Sequence, residues 1–151
     1  MQVPKDWIEF VECLNDAGAE FLLVGGHAVA YHGLPRLTKD LDFFVRCDPT
    51  NAQKIVQALT SFGFAPLKVN VEDLAHPGAF VMLGHPPNRI DLITEIDGVS
   101  FEEAWISRES SDFGGVRVWV ISKEHLIKNK RSAGRPQDIA DAARLEALDR
   151  S

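Results

Sequence analysis

The stretch "FLLVGGHAVAYHGLPRLTKDLDFFV", residues 21–45, constrains the fold more than any other part of the chain. An apolar run stops at Gly25 and Gly26, and the next one carries Asp40 and Asp42. Asp is a poor strand former, and a charge inside a buried strand is costly unless it is paired or bound to a metal. A strand points residues i and i+2 to the same face. Asp40 and Asp42 would therefore project together, roughly 7 Å apart at their bases. Like charges so placed repel unless a cation sits between them. Taken alone, the pair reads more simply as edge charges facing water.

A third carboxylate changes that balance. "NRIDLITEI" sets Asp91 among Ile90, Leu92 and Ile93 in another apolar strand. If this strand lies beside the one carrying Asp40, three carboxylates converge. Such a set can hold two Mg²⁺ ions for in-line phosphoryl chemistry, and Mg²⁺ suits carboxylates completed by waters and substrate phosphates. Asp91 would then be the general base, because it can face the attacking hydroxyl. Gly25 and Gly26 end a strand and open a helix. Without side chains they would let a phosphate approach the backbone at a helix N-terminus; a tight turn explains a Gly-Gly pair equally well.

The remaining chain fits a mixed α/β (α+β) fold with a sheet of about five strands flanked by helices. Apolar spacing predicts a helix over "PKDWIEFVECLNDAG", ended by Gly18, and another over "DPTNAQKIVQALTSFG", capped by Asp48 or Thr50 and stopped by Gly63. "EFLLVG", "DLDFFVR", "GAFVML", "RIDLITEI" and "GVRVWVI" read as strands. "SFEEAWIS" reads as a short helix capped by Ser100. Two helices follow from Ser122, broken at Gly134, with Pro136 in a first turn. The order is not a strict βαβ alternation, and "GGHAVAYHG" does not match GxGxxG, so a dinucleotide-binding fold is disfavoured. The 151 residues fit one domain, 1–151, with a C-terminal helical element at 122–148. No run is long enough to span a bilayer, and the N-terminus carries no signal segment. A net charge of −6 argues against a broad nucleic-acid-binding surface but leaves room for a local basic site. Cys13 and Cys47 read as free, buried thiols, which suits the cytoplasm.

"VGGHAVAYHGLPRLTKDLDFFV" resembles the signature of the polymerase-beta-like nucleotidyltransferase superfamily: a Gly-Gly or Gly-Ser turn, a short helix, then Asp-x-Asp. Asp91 matches the third Asp of that signature. "RLTKDLD" looks like the Arg-x-Ser/Thr-x-Asp-x-Asp form of small bacterial members, including the abortive-infection type IV toxins. "LIKNKRSAGRPQDIADAARL" resembles their C-terminal element, a Lys followed by Gly-Arg-x-x-Asp-x-x-Asp. The resemblance runs from Phe21 to Leu145. It implies a twisted mixed sheet, an NTP donor and Mg²⁺, with Asp40, Asp42 and Asp91 as metal ligands and catalytic carboxylates. By the same resemblance Gly25, Gly26, Arg36, Thr38 and Lys130 bind the nucleotide. The acceptor is an RNA end, a protein or a small molecule, the resemblance to the toxins implying an RNA end or a protein, with a toxin or antitoxin as partner. The chain departs from the pattern at position 26, where many active members have Ser. The rival reading is a binding module of this fold that has lost turnover.

The C-terminal stretch leaves choices open. Lys130 stands four residues before the Gly of Gly-Arg and Lys128 competes with it; a solvated helix end also explains "KNKRSAGR". Asp138 and Asp141, at i and i+3, read as ion-pair partners of Arg135 or Lys130. His27 either donates to a phosphate or packs. The histidines lack zinc-ligand spacing. Trp7, Trp105 and Trp119 read as core.

Overall fold

The computed structural model describes residues 3–36, 40–63, 69–84 and 88–148. In chain order the elements are α1 (Lys5–Asp16), β1 (Phe21–Val24), α2 (Gly25–Tyr31), β2 (Asp40–Val45), α3 (Pro49–Phe62), α4 (Val71–Leu74) and β3 (Phe80–Leu83). They continue with β4 (Arg89–Ile93), α5 (Phe101–Ile106), β5 (Glu109–Phe113), β6 (Val116–Val120), α6 (Lys123–Ala133) and α7 (Pro136–Leu148). The six strands form one mixed sheet in the order β3-β4-β2-β1-β6-β5. β1 runs antiparallel to β2 and parallel to β6, while β2 and β4 are parallel.

The helix boundaries follow from local chemistry. Asp48 caps α3 by accepting from the Asn51 amide, Pro49 sits in the first turn, and Gly63 closes the helix in the left-handed region. Ser100 and Glu103 form a reciprocal capping box on α5, and Gly134 separates α6 from α7 with φ +73°. The sequence reading counts five strands; the sixth is β5, "ESSDF". Its composition is polar because it is an edge strand that exposes most of its residues. Gly114 and Gly115, both at positive φ, turn it into β6. The four-residue α4, held by an Asn70–Asp73 capping box, is also absent from the sequence reading.

Strand alternation gives the sheet two faces. Phe43 of β2 packs against Phe21 at 5.1 Å and Phe10 at 6.5 Å, beneath α1 and α3. Phe44 points the other way, and its ring meets Phe101 of α5 at 5.1 Å. Burying each such ring stabilises the fold by about 2–3 kcal/mol. Asp40 and Asp42 share the face of Phe44. That face is covered by α5 at the Phe44 end, and at the Asp end it lines a cavity shared with α6 and α7. Cys13 and Cys47 are free thiols, half-buried rather than buried. Among the described residues, no helix is long and apolar enough to cross a membrane.

Candidate active site

The parallel pairing of β2 and β4 sets Asp42 beside Asp91 and Asp40 beside Arg89. Residues paired across strands share a face, so the three carboxylates open onto one side of the sheet. Asp91 is almost wholly buried. Asp42 is hydrogen-bonded to it, and its pKa is pushed up to about 7. Burial is the main cause, followed by the bond to Asp91 and then the charges of Asp91 and Asp40; Arg89 opposes them. A carboxyl in this position holds a proton unless a cation replaces it.

Gly25 explains why the apolar run stops where it does. The antiparallel pair sets Val24 opposite Asp42, and Gly25 follows with φ +69°. A Cβ at this position would stand 2.3 Å from Asp42 Oδ2. The glycine is therefore required twice, by its left-handed backbone and by the carboxylate pressed against it. His27, one turn into α2, is buried and packs edge-on against Trp7 at 5.1 Å. Burial lowers its pKa, against the charge of Asp40, and its Nε2 is buried without a hydrogen-bond partner among the described residues.

Arg89 is the residue the sequence reading missed. Its Nη2 donates to Asp40 Oδ2 at 2.9 Å and to Asp91 Oδ2 at 3.1 Å. Its Nε stands 3.1 Å from Asp91 Oδ1, without the alignment of a hydrogen bond. The guanidinium thus bridges two of the three carboxylates. The signal was available: Arg89 precedes Asp91 by two residues on a strand and must share its face.

The C-terminal helices supply the opposite wall. Lys130 Nζ lies 3.3 Å from Asp141 and 3.6 Å from Asp138. Asp138 also accepts from Arg135 Nε at 2.6 Å. Arg36 donates twice to Asp141, at 2.8 and 2.6 Å, a partnership the sequence reading did not include. Asp138 and Asp141 are buried, and both pKa values are lowered. Hydrogen bonds from Arg135 and from Arg36 are the respective leading causes. The fork from Arg36 to Asp141 ties the segment before the Asp-x-Asp strand to α7.

A cavity of about 490 Å³ brings together Gly25, Asp40, Asp42, Arg89, Asp91 and Lys130. Gly26 and Arg36 are not among its lining residues, and Thr38 lies outside the described residues. Lys128 pairs with Glu103 at 2.9 Å. It lines a separate groove of about 850 Å³ on the other side of α6, which contains none of the three aspartates. Of the two lysines, Lys130 is the one that lines the cavity of the three aspartates, with its ammonium held by Asp138 and Asp141. Among the described residues, no three His, Cys, Asp or Glu side chains stand in ready-made ligand geometry. The donor set nevertheless fits a hard divalent cation: it is all carboxylate oxygen, one member is driven towards protonation, and a guanidinium already supplies positive charge.

A mixed sheet with Asp-x-Asp on one strand and a third Asp in register on its parallel neighbour is the arrangement that the sequence resemblance to the polymerase-beta-like nucleotidyltransferases implies. Residues 4–150 match the family described as "Nucleotidyl transferase of unknown function (DUF2204)", and the chain belongs to that family. It is a nucleotidyltransferase, as the sequence resemblance implies. No curated protein sequence matches it. Three solved structures share the fold. The lincosamide antibiotic adenylyltransferase LnuA, solved with lincomycin bound, is 15% identical with a TM-score of 0.56; the match covers 98% of this chain and 99% of that one. TM1012 of Thermotoga maritima, described as a nucleotidyltransferase, is 14% identical with a TM-score of 0.57, covering 99% and 97%. An antigenic nucleotidyltransferase-like protein from Paracoccidioides brasiliensis is 18% identical with a TM-score of 0.54, covering 95% and 75%.

Proposed function

We propose that the protein transfers a nucleoside monophosphate from an NTP to a hydroxyl group in a Mg²⁺-dependent reaction at the Asp40–Asp42–Asp91 cluster. The observation that carries this reading is the in-register Asp42–Asp91 pair, with Asp40 on the same face and Lys130 across one cavity. In this reading Asp40, Asp42 and Asp91 hold the metal. When bound, Mg²⁺ would lower the pKa of the attacking hydroxyl and offset charge at phosphorus. Asp91 accepts the hydroxyl proton as the oxygen bonds to the α-phosphorus, and the bond to pyrophosphate breaks. Gly25 borders the cavity without a side chain, against the Asp42 carboxylate, and the phosphate-binding role of Gly25 and Gly26 is what the sequence resemblance implies. Lys130 supplies a point charge to the triphosphate; the contacts that the sequence resemblance implies for Arg36 and Thr38 have no counterpart here, since Arg36 is held by Asp141 away from the cavity lining and Thr38 lies outside the described residues.

Charge balance supports the metal requirement. Among the described residues, six carboxylates (Asp40, Asp42, Asp91, Glu95, Asp97 and Asp138) line the cavity against three cations (Arg89, Lys130 and Arg135). A triphosphate entering such a site alone would be repelled. The same lining favours a neutral or cationic acceptor. An RNA end or partner protein, and a role in a toxin–antitoxin pair, are what the sequence resemblance implies instead. NTP supply and the two free thiols suit a cytoplasmic setting. Calorimetry tests the reading: NTP binding should appear with Mg²⁺ and vanish in EDTA. Equal affinity in both conditions would overturn it.

A further inference from the structure

Arg89 is a costly residue for a plain strand. It lies on β4 opposite Asp40 and two residues before Asp91, and its Nη2 donates to both carboxylates. Arginine does not deprotonate in proteins, so this charge is permanent. It satisfies the same two oxygens that a divalent cation at the cluster would need. A cation entering there must displace the guanidinium, and the freed donor fork then needs another anion. A triphosphate in the adjoining cavity is such an anion.

We infer that Arg89 is a resident counter-ion of the carboxylate cluster, displaced by a divalent cation onto the triphosphate and so coupling the two binding events. The inference rests on the reading of Asp40, Asp42 and Asp91 as metal ligands. Its consequence is an opposite effect on two ligands. Arg89 competes with the metal when nucleotide is absent, and it attracts nucleotide once the metal is bound. An arginine that only braced β2 against β4 would not separate them; its loss would loosen the cluster and weaken both.

The experiment compares wild type, Arg89→Gln and Arg89→Lys in two titrations. Mn²⁺ binding is followed by electron paramagnetic resonance without nucleotide. Binding of an NTP with a methylene bridge between its α- and β-phosphates is followed by calorimetry at saturating Mn²⁺. Arg89→Gln should bind Mn²⁺ about tenfold tighter or more and the analogue about tenfold weaker, since each loss removes hydrogen bonds between charged groups. Arg89→Lys keeps the charge without the fork and should fall between the two; it carries the test if Arg89→Gln does not fold. Unchanged or weaker Mn²⁺ binding in both variants overturns the inference, as does tighter Mn²⁺ binding with unchanged analogue affinity. Asp42→Asn separates this failure from that of the underlying reading. If wild type binds Mn²⁺ as well as Asp42→Asn does, or if neither wild type nor the Arg89 variants bind it, the metal-ligand reading fails and the inference falls with it.

Discussion

Asp42→Asn should stabilise the metal-free protein at pH 8. The Asp42 carboxyl titrates at about 7 in the fold, against an ordinary value of 3.8. Between those values the native state holds a proton that the unfolded chain has released. Stability from this group therefore falls as pH rises from about 4 to about 7. A shift of about three units corresponds to about 4 kcal/mol at most, and relaxation around the site makes about 2–4 kcal/mol the expected range. The amide of Asn cannot ionise and can donate to Asp91 as the protonated carboxyl does. Urea denaturation in EDTA, at pH 5 and pH 8, should show the variant about 2–4 kcal/mol more stable at pH 8, with the gap shrinking to less than half of that at pH 5. A variant less stable than wild type at pH 8, or a gap equal at both pH values, would refute the reasoning.

Gly25→Ala should destabilise by about 1–3 kcal/mol through its left-handed backbone, with a further loss from the Cβ driven into Asp42; thermal denaturation checks this. Arg36→Ala leaves the buried Asp141 with Lys130 as its remaining cation, and chemical denaturation should show a loss of about 2–3 kcal/mol. The ion pairs of Asp138 and Asp141 depress both pKa values, so their stabilisation should be complete above about pH 4 and fade below it. Lys130→Ala should weaken Mg²⁺-dependent NTP binding by about 10- to 150-fold, measured by calorimetry, whereas Lys128→Ala should leave it unchanged.

What the sequence revealed was the chemistry that breaks local rules. Charges at positions 40, 42 and 91 stand out against apolar runs because burying them needs a reason, and the register of β2 on β4 places them on one face. Helix ends were legible at Asp48, Ser100, Ser122 and Gly134, where capping is local. Long-range partners were not. The Arg36–Asp141 fork joins residues 105 positions apart, and no local pattern announces it. β5 was missed because an exposed edge strand does not need apolar alternation. Arg89 was hidden for a different reason: beside three aspartates an arginine looks like ordinary solvated charge until the pairing of β2 with β4 sets it opposite Asp40. The glycine turn was noticed for its openness to phosphate, while the structure adds a steric requirement, the Asp42 carboxylate against Gly25.

The most direct test of nucleotidyl transfer at these carboxylates is to follow both ends of the donor. The protein is incubated with Mg²⁺, cell extract as acceptor source, and each NTP labelled at either the α- or the γ-phosphorus. The account predicts that α-label becomes covalently attached to an acceptor while γ-label leaves as pyrophosphate, and that Asp91→Asn abolishes both. Attachment of the γ-label, or α-label transfer undiminished in Asp91→Asn, would contradict it.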